Sequence, residues 1–306
     1  MEAGIICIFI ASTHMMLKLV RKIDTWINMS APILTPTLPR MNDERLKGPI
    51  LLRPIMRDPG TGEAENRDSG LLPNTRIIDL DKEGSDHRHG EVHQRLNSTA
   101  FAQLLGELGI DNKTQLIVYD AKGMFSAPRL WWMLKAIGHR NVSLLDGGGA
   151  KERAEGGLFN NFGRPPVSAQ FYKVEPPAHA WFIDKKHVIA ALDTNTQIID
   201  ARSAARFHGR APEPRAGVRS GHIPGAVNLY YQDVLENGRF KAVAVLNALF
   251  TKRNIDLQKP IICSCGSGIT ACIIGVAALL CDAKNVMVYD GSWAQWGADN
   301  QLPIAL

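Results

Sequence analysis

Short, uninterrupted apolar runs recur along this chain, each followed by a loop and then by a longer apolar-rich stretch. Gln115–Tyr119 and Pro260–Cys263 are such runs, and they carry the pattern of strands buried on both faces. Helical stretches follow at Pro128–Ile137 and Ile269–Cys281, the second apolar enough to be largely buried. Further strands are predicted at Val142–Leu145 and Val286–Tyr289, and Ile50–Met56 is the candidate first strand upstream. Strand, helix and strand at this spacing imply a right-handed crossover and a parallel sheet with helices on its faces. In such sheets ligands bind beyond the carboxyl ends of the strands.

The pattern occurs twice. Ile110-Asp111 leads through an apolar run to Asp120, and Ile255-Asp256 does the same to reach Cys265, at an offset of 145 residues. Asp120-Ala-Lys-Gly123 matches Cys265-Gly-Ser-Gly268, and Asn141–Gly148 matches Asn285–Ser292. Gly70-Leu-Leu-Pro73 is a looser counterpart of Gly221-His-Ile-Pro224. A repeat this long is a duplicated domain, not a solenoid unit. The predicted organisation is an N-terminal extension over 1–45, a first domain over 46–162, a linker over 163–180 and a second domain over 181–306. Pro165, Pro166, Pro176 and Pro177 mark the linker, within Gly163–Pro177.

Composition narrows the class. With 45% hydrophobic and 21% charged residues the chain has material for a sizeable core. The net charge of +5 comes without a Lys/Arg run, which disfavours nucleic-acid binding. Cys7, Cys263, Cys265, Cys272 and Cys281 are few, odd in number and mostly set in apolar stretches, the usage of a reducing, cytoplasmic compartment. Their spacing offers no metal pattern. Gly4–Ser12 is apolar but too short to span a bilayer, and its charges follow rather than precede it. A mitochondrial leader is the weaker alternative, because Glu2 and Asp24 interrupt the basic character. Ala31–Arg40 carries three prolines and reads as an extended connector.

The candidate chemistry lies at Cys265. A cysteine at a strand end, facing a loop that feeds a helix N-terminus, sits among backbone N–H groups that stabilise a negative sulfur. Gly266 and Gly268 open close backbone approach to a bound anion. Ser267 and Thr270 add hydroxyls able to hydrogen-bond the sulfur or carry a proton, with helix capping as the alternative role for Thr270. Asp120 cannot perform a thiolate's covalent chemistry, so one active copy is expected. Cysteine phosphatases and arsenate reductases share this loop logic but need an arginine six residues after the cysteine; Ala271 stands there.

These residues carry a resemblance. Asp-Ala-Arg-x-x-x-Arg-Phe, Pro-Glu-Pro-Arg, Gly-His-Ile-Pro-Gly-Ala, Cys-Gly-Ser-Gly-Ile-Thr-Ala and Tyr-Asp-Gly-Ser-Trp resemble the rhodanese superfamily, within it the two-domain 3-mercaptopyruvate sulfurtransferases. The resemblance implies an α/β fold of two tandem rhodanese-like domains, each a parallel sheet flanked by helices, with the first inactive. It implies that Cys265 takes sulfur from a small donor carboxylate as a persulfide. The sulfur would pass to thioredoxin, a small thiol or cyanide, with no cofactor and no metal. By the same resemblance Arg206 and Arg215 hold the donor's carboxylate and carbonyl, a task that suits the planar guanidinium fork. Gly266, Gly268 and Ile269 complete the expected substrate-binding set.

The uncharged Gly266-Ser267-Gly268 favours 3-mercaptopyruvate over thiosulfate, whose enzymes carry a basic loop. A thiosulfate sulfurtransferase with the same nucleophile and a non-catalytic persulfide carrier are the alternatives. His222 and Asp290 read as structural, Trp293 and Trp296 as packing or pocket walls, and Cys263 and Cys272 as buried small hydrophobes. Related enzymes place a histidine in the first-domain Gly-His-Ile-Pro to form a relay with the loop serine. Leu71 holds that position here, so Ser267 is expected to lack a histidine partner.

Overall fold

The computed structural model describes residues 33–35, 48–57, 62–65, 71–88, 92–156, 167–177 and 179–306. The expectations for Gly4–Ser12 and the possible leader, most of Ala31–Arg40, Gly70 and the start of Gly163–Pro177 lie outside the described residues. In the first unit the elements are β1 (Leu34–Thr35), β2 (Ile50–Ile55), β3 (Thr75–Asp79), α1 (Ser98–Glu107), β4 (Leu116–Val118), α2 (Ala127–Ala136), β5 (Val142–Leu145) and α3 (Gly148–Ala154). The second unit has β6 (Phe182–Ile183), α4 (Lys185–Ala191), β7 (Gln197–Asp200), α5 (Ala204–Phe207), β8 (Val227–Asn228), β9 (Leu235–Glu236) and β10 (Arg239–Phe240). It continues with α6 (Val243–Lys252), β11 (Ile261–Ser264), α7 (Ala271–Leu280), β12 (Val286–Tyr289) and α8 (Ser292–Trp296).

The first sheet runs β1-β5-β4-β2-β3 and the second β6-β12-β11-β7-β8, every pairing within them parallel. Position for position the two orders are the same, so the duplication extends to topology. Leu34–Thr35 holds the place in its sheet that Phe182–Ile183 holds in the other, although it falls within the stretch read as a connector. Central strands are buried throughout because helices cover both faces, and all residues of β4, β5 and β11 are apolar except Ser143 and Ser264. Pro54 is tolerated inside β2 because the pairing with β4 ends at Leu52, where one ladder partner is no longer required.

The units share one apolar core. Helix α7 is buried from Ala271 to Ala278, and it packs against α2 of the first unit. The contact is close at Gly275, where a Cβ would lie 2.7 Å from the Trp132 ring. That ring is fixed by its own hydrogen bond, Nε1 donating to the Trp181 carbonyl at 2.7 Å, and by an edge-on contact with Trp181 at 5.0 Å. Among the described residues no helix is long and apolar enough to cross a membrane.

Each unit also reaches over the other's loop. Arg95 N–H donates to Asp290 of the second unit at 3.1 Å. In return Phe240 N–H donates to Asp146 of the first unit at 3.2 Å, and Arg239 pairs with the same carboxylate. The turn between β9 and β10 covers the first-unit loop so tightly that a Cβ on Gly123, at φ +77°, would sit 2.7 Å from the Gly238 carbonyl oxygen.

Gly275→Val should therefore destabilise the protein by about 1–3 kcal/mol, because overpacking cannot be relieved against a tethered indole. Urea denaturation reads this as a lower midpoint, and an unchanged midpoint would show that the two helices are not in firm contact.

Candidate active site

Cys265 follows directly on β11, beside the carboxyl ends of β7 and β12, and is 2% exposed. Its backbone is held on both sides: N–H donates to Ser292 Oγ at 3.1 Å, and its carbonyl accepts from Trp293 N–H at 2.9 Å. The loop turns through Gly268 at φ +78°, a left-handed conformation that favours glycine; a Cβ there would also meet the Asp290 carbonyl oxygen at 2.7 Å. Among the described residues, the backbone N–H groups of Gly266, Ser267, Gly268, Ile269 and Thr270 donate to no acceptor.

The first unit shows what such a loop holds. There the Asp120 carboxylate accepts from the N–H groups of Lys122, Phe125, Ser126 and Ala127 at 2.7–3.0 Å. The first-unit loop thus carries its own anion, built into the chain. In the second unit the corresponding donors surround a cysteine.

A cavity of about 560 Å³ opens over Cys265. Arg206, Arg215, Gly266, Ser267, Ile269 and Thr270 all line it. Gly268 does not; its carbonyl faces away, accepting from Arg129 Nη1 at 3.2 Å and from Cys272 Sγ at 3.3 Å. Thr270 begins α7 without a side-chain cap, so its hydroxyl is left to the cavity. Trp293 and Trp296 are wholly buried and bond to the Arg219 and Pro303 carbonyls, which makes them packing rather than walls. Phe125, Tyr230 and Tyr231 supply the aromatic lining instead. Burial, with Tyr231 alongside, pushes the Tyr230 hydroxyl up to about 12.

The arginines differ in their ties. The Glu213 side chain, 4% exposed, accepts from Arg202 at 2.7 Å and from Arg206, and Arg202 also pairs with Asp200 at 2.6 Å. This chain fixes Arg206 against the loop, its guanidinium 3.2 Å from where a Gly266 Cβ would be. The Arg215 guanidinium makes no hydrogen bond or ion pair among the described residues; desolvation and the Arg206 charge lower its pKa, with Cys265 and Glu213 opposing. A half-buried cation with open donors is suited to an incoming carboxylate.

Ser267 has a histidine partner after all. His93 Nδ1 lies 2.9 Å from Ser267 Oγ, and His93 Nε2 lies 2.8 Å from Asp81 Oδ1. A carboxylate can only accept, so Nε2 carries the proton in neutral His93 and Nδ1 accepts from the serine hydroxyl. Leu71 is not the position that faces Ser267. It leads into the amino end of β3, whereas the active loop sits at carboxyl ends; His222, its second-unit counterpart, is spent on Phe207, Nδ1 to the carbonyl at 2.9 Å. The missed signal was the offset of 144 that links Asn141 to Asn285, because it also links Arg95 to Arg239 and His93 to Asn237. Those last two share a left-handed backbone, at φ 59° and 51°.

Asp290 is tied across the units, Oδ1 to Arg129 Nη2 at 2.7 Å and Oδ2 to Arg95 N–H. Cys263 and Cys272 are buried, and burial raises both thiols, Cys272 to about 12. Burial also lowers the His93 pKa; the Asp81 hydrogen bond and charge oppose, while Arg129 and Arg215 add to the lowering.

Regions 63–151 and 184–299 match the family model described as a rhodanese-like domain. The chain is 40% identical over 235 residues to the 3-mercaptopyruvate sulfurtransferase of Mus musculus, covering 74% of this chain and 76% of that one. It is 41% identical over 209 residues to the thiosulfate sulfurtransferase of Gallus gallus, covering 64% and 68%. The solved structure of SseA, a 3-mercaptopyruvate sulfurtransferase from Escherichia coli, superposes with a TM-score of 0.70 at 34% identity, covering 80% of this chain and 92% of that one.

NMR of the imidazoles should show His93 neutral at pH 7 as the Nε2–H tautomer, with a midpoint below the ordinary ~6.5. Asp81→Asn should lower that midpoint further, since it removes the group that opposes burial. A midpoint at or above the ordinary value would contradict the geometry.

Proposed function

The chain belongs to the rhodanese family and is a sulfurtransferase; from that premise we propose that it moves sulfur from 3-mercaptopyruvate to a thiol or to cyanide through a persulfide on Cys265. The observation that carries the choice of donor is the Ser267–His93–Asp81 chain beside Cys265. Percentage identity alone does not choose, because relatives named for either donor stand at 40% over 235 residues and 41% over 209 residues. Proton demand does. Thiosulfate gives up sulfur by releasing sulfite, with no proton to move. 3-Mercaptopyruvate gives up sulfur from a carbon, which must end as a methyl group.

In the proposed mechanism Arg215 and Arg206 hold the donor's carboxylate and carbonyl. His93, through the Ser267 hydroxyl, takes the proton from the donor thiol. The Cys265 thiolate attacks the donor sulfur, the S–S bond forms, and the C–S bond breaks with its electron pair going to the methylene carbon. Electron density spreads onto the carbonyl oxygen beside the arginines. The proton held by the relay returns to that carbon and pyruvate leaves. The outer persulfide sulfur keeps the negative charge, and the five open N–H groups of the loop are suited to hold it. An acceptor thiol then attacks the outer sulfur, releasing the Cys265 thiolate and carrying away a persulfide of its own. With cyanide, attack on the outer sulfur breaks the S–S bond, the sulfur departs as thiocyanate and the Cys265 thiolate is released.

The loop itself carries no charge, and of the cavity's arginines Arg202 and Arg206 are both paired with Glu213, which supports a monoanionic donor over a dianion. Free thiols at Cys263, Cys265, Cys272 and Cys281 support a reducing, cytoplasmic setting in which thioredoxin or a small thiol serves as acceptor.

His93→Ala should lower kcat with 3-mercaptopyruvate by roughly 100-fold, the usual scale of acid–base assistance. The thiosulfate-to-cyanide rate of the same variant should change by less than about threefold, because that reaction needs no relay. Steady-state assays of thiocyanate and pyruvate read both. Equal losses with the two donors, or a preference for thiosulfate in the wild type, would favour the thiosulfate reading instead.

A further inference from the structure

Arg129 belongs to the first unit, on α2, yet nothing in the mechanism above uses it. It is 1% exposed and its guanidinium reaches three acceptors of the catalytic centre: the Gly268 carbonyl at 3.2 Å, the His93 carbonyl at 2.7 Å and Asp290 Oδ1 at 2.7 Å. The cation also lies over the Phe182 ring, 4.7 Å from its centroid.

The two carbonyls matter because of what they flank. His93 belongs to the arm of the first unit and Ser267 to the loop of the second, so their hydrogen bond crosses between units. Gly268 is the residue after Ser267. Arg129 therefore closes a ring: His93 ring, Ser267 side chain, Gly268 carbonyl, guanidinium, His93 carbonyl. Asp290 balances the charge and through Oδ2 holds Arg95 N–H, two residues beyond His93 on the same arm. His93 itself sits at φ 59°, a conformation a histidine keeps only when its surroundings over-determine it.

We propose that Arg129 is a positioning residue, a clamp that sets the gap between His93 and Ser267 and thereby explains what the catalytically silent first unit supplies. The proposal rests on the relay reading given above. Lysine cannot replace it, since an ammonium lacks the planar fork that spans two carbonyls and a carboxylate. The charge has a second effect. The groups facing His93 are Asp81 on its own arm, Ser267 on the active loop, Arg215 on the cavity wall and Arg129 from α2. The two arginines help keep the imidazole neutral and so able to accept a proton.

The test is a double-mutant cycle with 3-mercaptopyruvate, using Arg129→Lys and Arg129→Met alone and with His93→Ala. Arg129→Lys should lower kcat by about tenfold while KM changes by less than about threefold, since Arg206 and Arg215 are untouched. In the His93→Ala background the further loss should shrink to less than about twofold. Arg129→Met removes a positive charge that faces His93, so the acid limb of kcat/KM should move to higher pH; Arg129→Lys keeps the charge and should leave that limb in place. Should the methionine variant fail to fold, the lysine variant carries the test. Wild-type kcat in Arg129→Lys, or an undiminished loss in the His93→Ala background, would overturn the proposal. Full activity in His93→Ala alone would instead overturn the relay on which it rests.

Discussion

Backbone N–H groups gathered at the carboxyl end of a central parallel strand call for an anion, and this chain answers the call in two ways. In the first unit the Asp120 carboxylate accepts from four loop N–H groups and satisfies the demand permanently. In the second unit Cys265 follows directly on the strand, the loop donors are open, and a cavity of about 560 Å³ lies above. A carboxylate is a fixed charge, whereas a sulfur can be charged, extended by one atom and discharged again. The duplication therefore produced one closed cradle and one that can be loaded, without any change of fold.

The first unit is nonetheless part of the cavity's surroundings. Each unit extends a segment over the other's loop, with Arg95 reaching Asp290 through its backbone N–H and Arg239 reaching Asp146 through its guanidinium. The segment from the second unit closes the first-unit loop with the backbone of Gly238. The segment from the first unit delivers His93 and Asp81 to Ser267. The relay would not exist in a single unit, which gives a physical reason for both to be retained.

How much of this could be read from the sequence follows the range of the interactions. The strands on either side of Cys265, the loop glycines and the helix behind them are local, and Val142–Leu145 and Val286–Tyr289 match their strands residue for residue. The buried run from Ala271 to Ala278 was legible from its uniform apolarity. Arg206 and Arg215 could be singled out only through resemblance, because nothing local distinguishes them from Arg202, Arg210 and Arg219. His93 is not legible in the sequence because its role depends on a crossing between units, while Leu71 holds the position where the resemblance places a histidine. Arg129 was missed for a related reason: in a sequence it is one arginine in an apolar helix, and only the packing of α2 on the second unit reveals three acceptors around it.

The central claim is that Cys265 is the sulfur carrier. Intact mass and peptide mapping after a single turnover with 3-mercaptopyruvate, in the absence of acceptor, test it directly. One added sulfur atom on the Cys265 peptide, lost on addition of cyanide and absent from Cys265→Ser, is the predicted result. Sulfur found on another cysteine, or loaded equally onto Cys265→Ser, would contradict the account.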